Sequence, residues 1–186
     1  KKNLGIDKNN VLVLDNTARL GNNKEAFRNA LAQQTGITRI SFTNNTFPGV
    51  NNTTVFKTAR SEQDHIMGVY FADYDHQEVL KFELEDGRYF SKEFATDSLA
   101  ILLNEAAAKE FGFENPIGEE VLYNDNGSTF KKYKVIGVIK NFNFESFKEE
   151  VRPLSILLTK NADNLLIRYE GDPAAMIQNV ERLWKQ

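Results

Sequence analysis

The chain has 186 residues, a formal net charge of −3 and no cysteine. The lack of cysteine excludes disulfide scaffolds, Cys-ligated zinc, iron–sulfur sites and thiol catalysis, and a mildly acidic chain is not typical of a nucleic-acid binder. Hydrophobic residues make up 41% and charged residues 26%, which is the balance of a folded globular protein rather than a disordered one.

The first part of the chain predicts a β-α-β unit. Residues 11–14 are a short run of valine and leucine, which predicts a buried strand. Apolar residues recur at helical spacing over residues 24–35, and Gly36 suits the position that follows a helix. Residues 37–43 alternate between apolar and polar side chains, with Ser41 on the polar face. That alternation predicts a half-buried strand.

The middle of the chain predicts mostly strands. Turn-forming residues lead from the opening unit into predicted strands at residues 55–57, 66–71, 100–103, 120–123 and 133–142. A short helix is predicted to open at Asp73-Tyr74-Asp75. A second is predicted over residues 105–111, because Asn104 suits its N-cap and Gly112 its end.

The last part of the chain predicts two strands, residues 154–159 and 165–169, and a final helix. Asp172-Pro173 is a typical helix start, and the residues after it form one apolar stripe: Met176, Ile177, Val180, Leu183 and Trp184. The predicted fold class is therefore α+β with two lobes. One lobe is built from both chain ends, residues 1–54 and 152–186, and the other is a β-rich insertion, residues 55–151.

No catalytic, cofactor-binding or metal-binding residue is predicted. Asp73, Asp75 and His76 are a candidate metal cluster, but their spacing is also that of a polar turn with helix-capping carboxylates, which is the interpretation we favour. The chain has no Gly-x-Ser-x-Gly nucleophile elbow, no Gly-x-x-x-x-Gly-Lys phosphate loop and no Gly-x-Gly-x-x-Gly dinucleotide turn. No cofactor is therefore expected.

Three aromatic features of the sequence are candidate binding surfaces. Residues 130–134 mix aromatic and basic side chains, but alternation on a strand explains them better than a nucleic-acid surface does. Phe142, Phe144 and Phe147 form either a partner-binding patch or a satellite core, and we favour the core. Trp184 is expected to pack in the core beneath the last helix.

From residue 87 the chain carries an ordered series of short phrases. They are Gly87-Arg88-Tyr89-Phe90-Ser91, Ala95-Thr96-Asp97-Ser98, Leu103-Asn104-Glu105-Ala106-Ala107, Phe111-Gly112-Phe113, Asn115-Pro116-Ile117-Gly118, Tyr133-Lys134-Val135-Ile136-Gly137-Val138, Asn141-Phe142-Asn143-Phe144-Glu145-Ser146 and Arg152-Pro153-Leu154. In order and spacing this series resembles the extracytoplasmic core domain of MacB/FtsX-like ABC transporter permeases, especially the large versions common in Bacteroidetes.

That resemblance implies a noncatalytic periplasmic domain of a permease in the bacterial inner membrane, with one transmembrane helix before Lys1 and another after Gln186. It implies that the lobe formed by both chain ends is porter-like. The implied partners are a cytoplasmic ABC ATPase, reached through the membrane part, a second permease copy, and a periplasmic adaptor or lipoprotein. The implied function is to couple ATP-driven movement to substrate export or to a partner protein.

Two other function classes stay open at this point. An extracytoplasmic ligand-binding or sensor module also places an α/β domain between membrane helices, and a kinase or cyclase domain downstream would favour it. An enzyme that uses a metal at Asp73, Asp75 and His76 is the third hypothesis, which metal analysis of the protein would decide. No nucleic-acid partner is predicted.

Overall fold

The structure is a computed structural model that describes residues 7–45, 49–50, 52–124, 129–142 and 150–185. It confirms the α+β class. The strands are β1 (Val11–Leu14), β2 (Ile37–Thr43), β3 (Thr53–Thr58), β4 (Ser61–Ala72), β5 (Leu84–Gly87), β6 (Ala100–Asn104), β7 (Glu120–Tyr123), β8 (Lys131–Ile139), β9 (Leu154–Leu158) and β10 (Asn164–Tyr169). The helices are α1 (Lys24–Ala32), α2 (His76–Leu80), α3 (Glu105–Glu110) and α4 (Pro173–Trp184), with 3₁₀ segments at Thr17–Asn23 and Ala95–Leu99.

Strands from both ends of the chain pair with each other to form a three-stranded unit. β10 lies in its centre, antiparallel to β1 on one side and to β2 on the other. Helices α1 and α4 pack on one face, where Phe27, Leu31, Leu165, Ile167 and Val180 are buried together. Their burial follows from the period-2 alternation of the strands meeting the apolar stripes of the two helices.

The middle strands form a closed ring of six. β4 pairs with β3, β3 with β7, β7 with β8, β8 with β6, β6 with β9, and β9 returns to β4. Alternate side chains of these strands point into the ring, where they form a core with two residues of α3 and with Phe111, which follows it. That core includes Phe56, Val69, Ile101, Leu103, Val121, Tyr133, Val135, Leu157, Ala107, Ala108 and Phe111.

A second core covers the outside of β4, β6, β8 and β9. Ala100 and Leu102 belong to it, whereas Ile101 and Leu103 of the same strand face the ring interior. All five residues of β6 are therefore buried. This is why the strand appears in the sequence as a continuous apolar run instead of an alternating one. Helix α2 closes the second core over Tyr70 and Leu166.

Several predicted elements match closely, whereas others differ from the prediction. β1 is a half-buried edge strand rather than a buried one, because β10 is its one partner among the described strands and Val13 is exposed. Ser41 is completely buried, since α2 packs on the face of β2 that the alternation assigned to solvent. β8 begins at Lys131 and ends at Ile139, and β5 and the two 3₁₀ segments were not predicted.

The boundaries of the two lobes stay a prediction. β1, β2 and β10 form the three-stranded unit, whereas β9, which the prediction assigned to the same lobe, pairs with β4 and β6 in the ring. Helices in the described ranges are all too short or too polar to cross a membrane.

Candidate functional site

Two glycines of the recognised phrases face each other across the β5–β8 pairing. Gly87 lies opposite Gly137 in the register. Gly87 has φ +74°, a conformation that side chains disfavour. A Cβ on Gly137 would lie inside contact distance of the Arg88 carbonyl oxygen and 2.9 Å from Cδ2 of Leu102. These glycines let β5 approach β8 at a distance that a side chain would prevent.

The loop after Gly87 is held by a bidentate ion pair. Arg88 donates from Nη1 to Oδ2 of Asp97 at 2.8 Å and from Nη2 to Oδ1 at 2.7 Å, and the Ser91 amide donates to Oδ2 at 2.9 Å. Asp97 is completely buried. Burial alone would raise the pKa of Asp97, but the hydrogen bonds from Arg88 and Ser91 outweigh it and hold that pKa below its usual value.

Asn104 joins two phrases that are distant in sequence, its own and the one that begins at Arg152. Its Oδ1 accepts from the amides of Ala107 at 2.9 Å and Leu154 at 3.0 Å, and its Nδ2 donates to the Arg152 carbonyl at 2.9 Å. The predicted N-cap of α3 is confirmed, and the same side chain also fixes the start of β9. Because Asn104 is almost completely buried, its three hydrogen bonds satisfy groups that water cannot reach.

A reciprocal pair next to Asn104 ties α3 to the end of β8. The Ala106 amide donates to Oδ1 of Asn141 at 2.9 Å, and the Asn141 amide donates to Oε2 of Glu105 at 2.8 Å. We refer to the set Gly87, Arg88, Asp97, Asn104, Glu105, Gly137 and Asn141 as the motif frame. Its members hold backbone segments in place.

The candidate metal residues Asp73, Asp75 and His76 do not share a ligand cage. Asp73 Oδ2 accepts from Arg28 Nη1 at 2.8 Å and from the Phe42 amide at 2.9 Å, and Asp75 pairs with Arg28 Nη2. Burial raises the pKa of Asp73, although its hydrogen bonds and Arg28 oppose the shift. Within the part of the chain that the structure describes, no group of three His, Asp or Glu residues could hold a metal ion.

His76 points away from these carboxylates into the protein. Its Nδ1 lies 3.2 Å from Ser41 Oγ and its Nε2 lies 2.9 Å from the Tyr70 hydroxyl. Burial lowers the pKa of His76 to about 3 and raises that of Tyr70 well above its usual value. The imidazole is therefore neutral and inaccessible to a substrate.

A buried cation, Arg168, holds the segment before β1. Its Nε donates to the Val79 carbonyl at 2.6 Å and its Nη1 to the Asn9 carbonyl at 3.1 Å, and the guanidinium also binds Asp7. A polar groove of about 550 Å³ runs beside it. Its formal charges cancel, because the three cations Arg39, Lys81 and Arg168 are matched by three carboxylates, those of Asp7, Glu78 and Glu170. Arg39 pairs with Glu78, and both Lys81 and Arg168 pair with Asp7.

The predicted aromatic packing is confirmed where the structure describes it. Phe142 is buried against Phe82 with ring centroids 4.9 Å apart, whereas Phe144 and Phe147 lie outside the described residues. Tyr133 points into the ring core. Trp184 packs edge-on against Phe27 at 5.5 Å.

Apolar side chains are exposed beside the motif frame. Phe94 is 44% exposed and lies under the Arg88 guanidinium, which is 3.9 Å from its ring centroid. Ile117 is 40% exposed, and its Cδ1 is 2.6 Å from where a Cβ on Gly87 would be. The frame thus presents an apolar rim to its surroundings.

The sequence predicted the N-caps Asn104 and Asp172 but none of the ion pairs. The prediction that carboxylates cap α2 is wrong, because Asp75 at the N-cap position makes no side-chain cap hydrogen bond and pairs with Arg28 instead. Arg88 and Asp97 stand in two phrases of the recognised series, so their joint presence was the available signal for a pair. Arg28 and Asp73 are 45 residues apart, and no local pattern connects them. Buried polar partners of this kind are fixed by tertiary packing.

Comparisons with known proteins agree with this architecture. The chain resembles the extracellular domain of the noncanonic ABC-type transporter YknZ from Gram-positive bacteria, with a TM-score of 0.60 and 18% identity over 91% of this chain and 86% of that one. It also resembles a domain of a permease protein from Porphyromonas gingivalis, with a TM-score of 0.58 and 12% identity over 84% and 74%. No curated protein matches the chain.

Similarity at these identities shows a shared fold. The family of MacB-like periplasmic core domains matches residues 5–178, which is nearly the whole chain. The ordered phrases from Gly87 to Leu154, the motif frame and the strands β1 to β10 lie within that match. The chain belongs to the MacB-like periplasmic core domain family, the extracellular or periplasmic domains of ABC transporter permeases.

Proposed function

We propose that this chain is the noncatalytic periplasmic domain of an ABC permease in the bacterial inner membrane, and that it transmits ATP-driven movement of the membrane part to substrate export or to a partner protein. Membership of the MacB-like periplasmic core domain family is the observation that carries the proposal. The ATPase would be a separate cytoplasmic subunit, reached through the membrane part.

The placement of the chain ends supports a role in transmission. β1, near the start of the chain, pairs with β10, and α4 follows β10 directly. α4 also packs on α1 in the core of the same unit. A domain held between two membrane helices would therefore receive movement from both through one part of its fold. We propose that this part, with residues 1–54 and 152–186, is the porter-like lobe.

The chemistry of the described residues supports a noncatalytic role. Asp73, Asp75 and His76 are each bound to protein partners, and the buried imidazole is kept neutral. The motif frame consists of backbone-holding contacts and two close-packed glycines. Partners would instead be contacted at the surface: a second permease copy, and a periplasmic adaptor or lipoprotein.

The test follows the domain during the nucleotide cycle of the whole transporter. The full-length permease, with any other cysteine removed, carries Gln63→Cys, an exposed site at the far end of β4. It is spin-labelled and reconstituted with its ATPase in lipid nanodiscs. Pulsed electron paramagnetic resonance then measures the distance between the two copies without nucleotide and with ATP on a hydrolysis-deficient ATPase.

We expect the distance between copies to change when ATP binds, and an ATPase variant unable to bind ATP serves as the control. Identical distance distributions in both states would overturn the proposed transmission. A distance distribution that stays the same when ATP binds but changes with a periplasmic ligand would favour the sensor module instead.

A further inference from the structure

We propose that helix α2 and the turn before it, residues 73–80, form a joint that fixes the six-stranded ring rigidly to the three-stranded unit. We call this segment the α2 joint. It continues directly from β4 of the ring, yet most of its polar partners belong to the other unit. The inference about rigidity stands on the contacts alone, and its consequence for transmission rests on the proposed function.

Direct strand pairing between the two parts is short. β2 and β4 share one register pair, Thr43 opposite Ala72. One backbone hydrogen bond flanks it on each side, from the Asn44 amide to the Phe71 carbonyl at 3.1 Å and from the Asp73 amide to the Phe42 carbonyl at 3.0 Å. By comparison, β10 and β2 share six register pairs and β4 and β9 share five. So short a ladder resists twisting much less than a long one.

The first part of the α2 joint is bound by Arg28 of α1. This side chain donates to Asp73, to Asp75 and, at 2.8 Å, to the Ile40 carbonyl on β2. One guanidinium therefore connects a helix of the three-stranded unit, its strand β2 and the turn that leaves the ring. Asp73 adds the Phe42 amide as a further ligand on β2.

The middle of the α2 joint contains a direct bridge between the parts. His76 contacts Ser41 of β2 through one ring nitrogen and Tyr70 of β4 through the other. The far end of the joint is held by Arg168 of β10, which donates to the Val79 carbonyl at 2.6 Å. Residues of the three-stranded unit thus bind the joint at its start, its middle and its end.

These contacts are directional, and most of the residues that make them are buried. Ser41, Asp73, His76 and Arg168 are each at most 8% exposed. Apolar surfaces can slide over one another with a gradual loss of contact, whereas a shift here would leave buried donors and acceptors without partners. The polar contacts therefore set one relative orientation of the ring and the three-stranded unit. Movement that enters at the chain ends would reach the ring through this joint.

The test measures that orientation in the 186-residue chain itself. Gln63→Cys on β4 and Gln178→Cys on α4 place spin labels at two exposed positions, one in each part. The chain has no other cysteine, so labelling is specific. Pulsed electron paramagnetic resonance gives the distance distribution. We expect one narrow population in the parent and a broader or second population in Arg28→Met, which keeps the aliphatic stem and removes the guanidinium.

Arg39→Met is the matched control, because Arg39 of β2 forms an exposed ion pair with Glu78 of α2. It should leave the distribution narrow. Ser41→Ala, which removes one side of the His76 bridge, is a second test variant in case Arg28→Met does not fold. We expect Ser41→Ala to broaden the distance distribution as well. A broad distribution in the parent, or a narrow one in every variant that folds, would overturn the joint. Neither result would affect the nucleotide response that tests the permease proposal.

Discussion

The neutral state of His76 predicts a specific dependence of stability on pH. Its imidazole is 2% exposed and is enclosed by Ser41 and Tyr70, neither of which offers a negative charge. Burial lowers the pKa of His76 from 6.5 to about 3 in the folded protein. Between these values the unfolded chain binds a proton that the folded chain does not. Stability should therefore fall as the pH drops below about 6.5.

The magnitude follows from the two pKa values. With 6.5 unfolded and about 3 folded, the His76 contribution to the free energy of unfolding decreases by about 2 kcal/mol between pH 8 and pH 5. The decrease reaches about 3 kcal/mol by pH 4 and levels off below the folded pKa. Carboxylates such as Asp97, whose pKa is lowered, add their own loss in acid, so only a comparison between variants isolates the histidine.

Urea unfolding of the parent and of His76→Gln at several pH values between 8 and 5 measures this contribution. Glutamine keeps a neutral donor and acceptor at the site but does not titrate in this range. We expect the parent to lose about 2 kcal/mol more than the variant over that interval. Ser41→Ala disturbs the same cluster without removing the titrating group, so it should lower stability at every pH and keep the parent's dependence. Parallel curves for the parent and His76→Gln would refute the reasoning.

The motif frame yields three further predictions, each measured by urea unfolding at neutral pH. Arg88→Met should lower the free energy of unfolding by about 3 kcal/mol, because it leaves the buried Asp97 carboxylate without its cation. A decrease below about 1 kcal/mol would contradict the assigned pair. Asn104→Ala should lower the free energy of unfolding by about 2 to 4 kcal/mol. Asp172→Ala, at the exposed N-cap of α4, is the control and should lower it by about 1 kcal/mol. Equal decreases would mean that the hydrogen bonds of Asn104 to the start of β9 contribute nothing. Gly137→Ala should cost about 3 kcal/mol or more, since its Cβ would meet a backbone carbonyl that cannot move aside, and an unchanged midpoint would show that β5 can shift.

The elements that the sequence predicted well are those with a complete local signal. β6 is an unbroken apolar run because both of its faces are covered. α4 begins where expected, since Asp172 accepts from the Ala175 amide and Pro173 occupies the first turn. By contrast, the sequence predicted Ser41 on an exposed face of β2. Alternation distinguishes the two faces of a strand, but it does not show that each face is covered by another layer of the protein.

The polar contacts were the least predictable part of the fold. The local sequence around a residue such as Asp73 is the same whether the side chain binds a metal, caps a helix or pairs with an arginine. The difference lies in Arg28, which is 45 residues away in sequence and is brought close by the packing of α1 on β2. Its identity as a partner is a consequence of the tertiary fold and has no counterpart in local spacing.

This contrast explains what the family resemblance carries and what it does not. The recognised phrases begin at Gly87 and supply the motif frame, in which Gly137 and Asn104 hold backbone segments at short range. The α2 joint lies before the first phrase and depends on arginines from α1 and β10. The resemblance therefore identifies the frame of the ring but contains no information on how the ring is attached to the unit that holds both chain ends. If the domain transmits movement, that attachment is the polar contact that fixes how the two parts move together, and it can be tested in this chain without knowing the transported substrate.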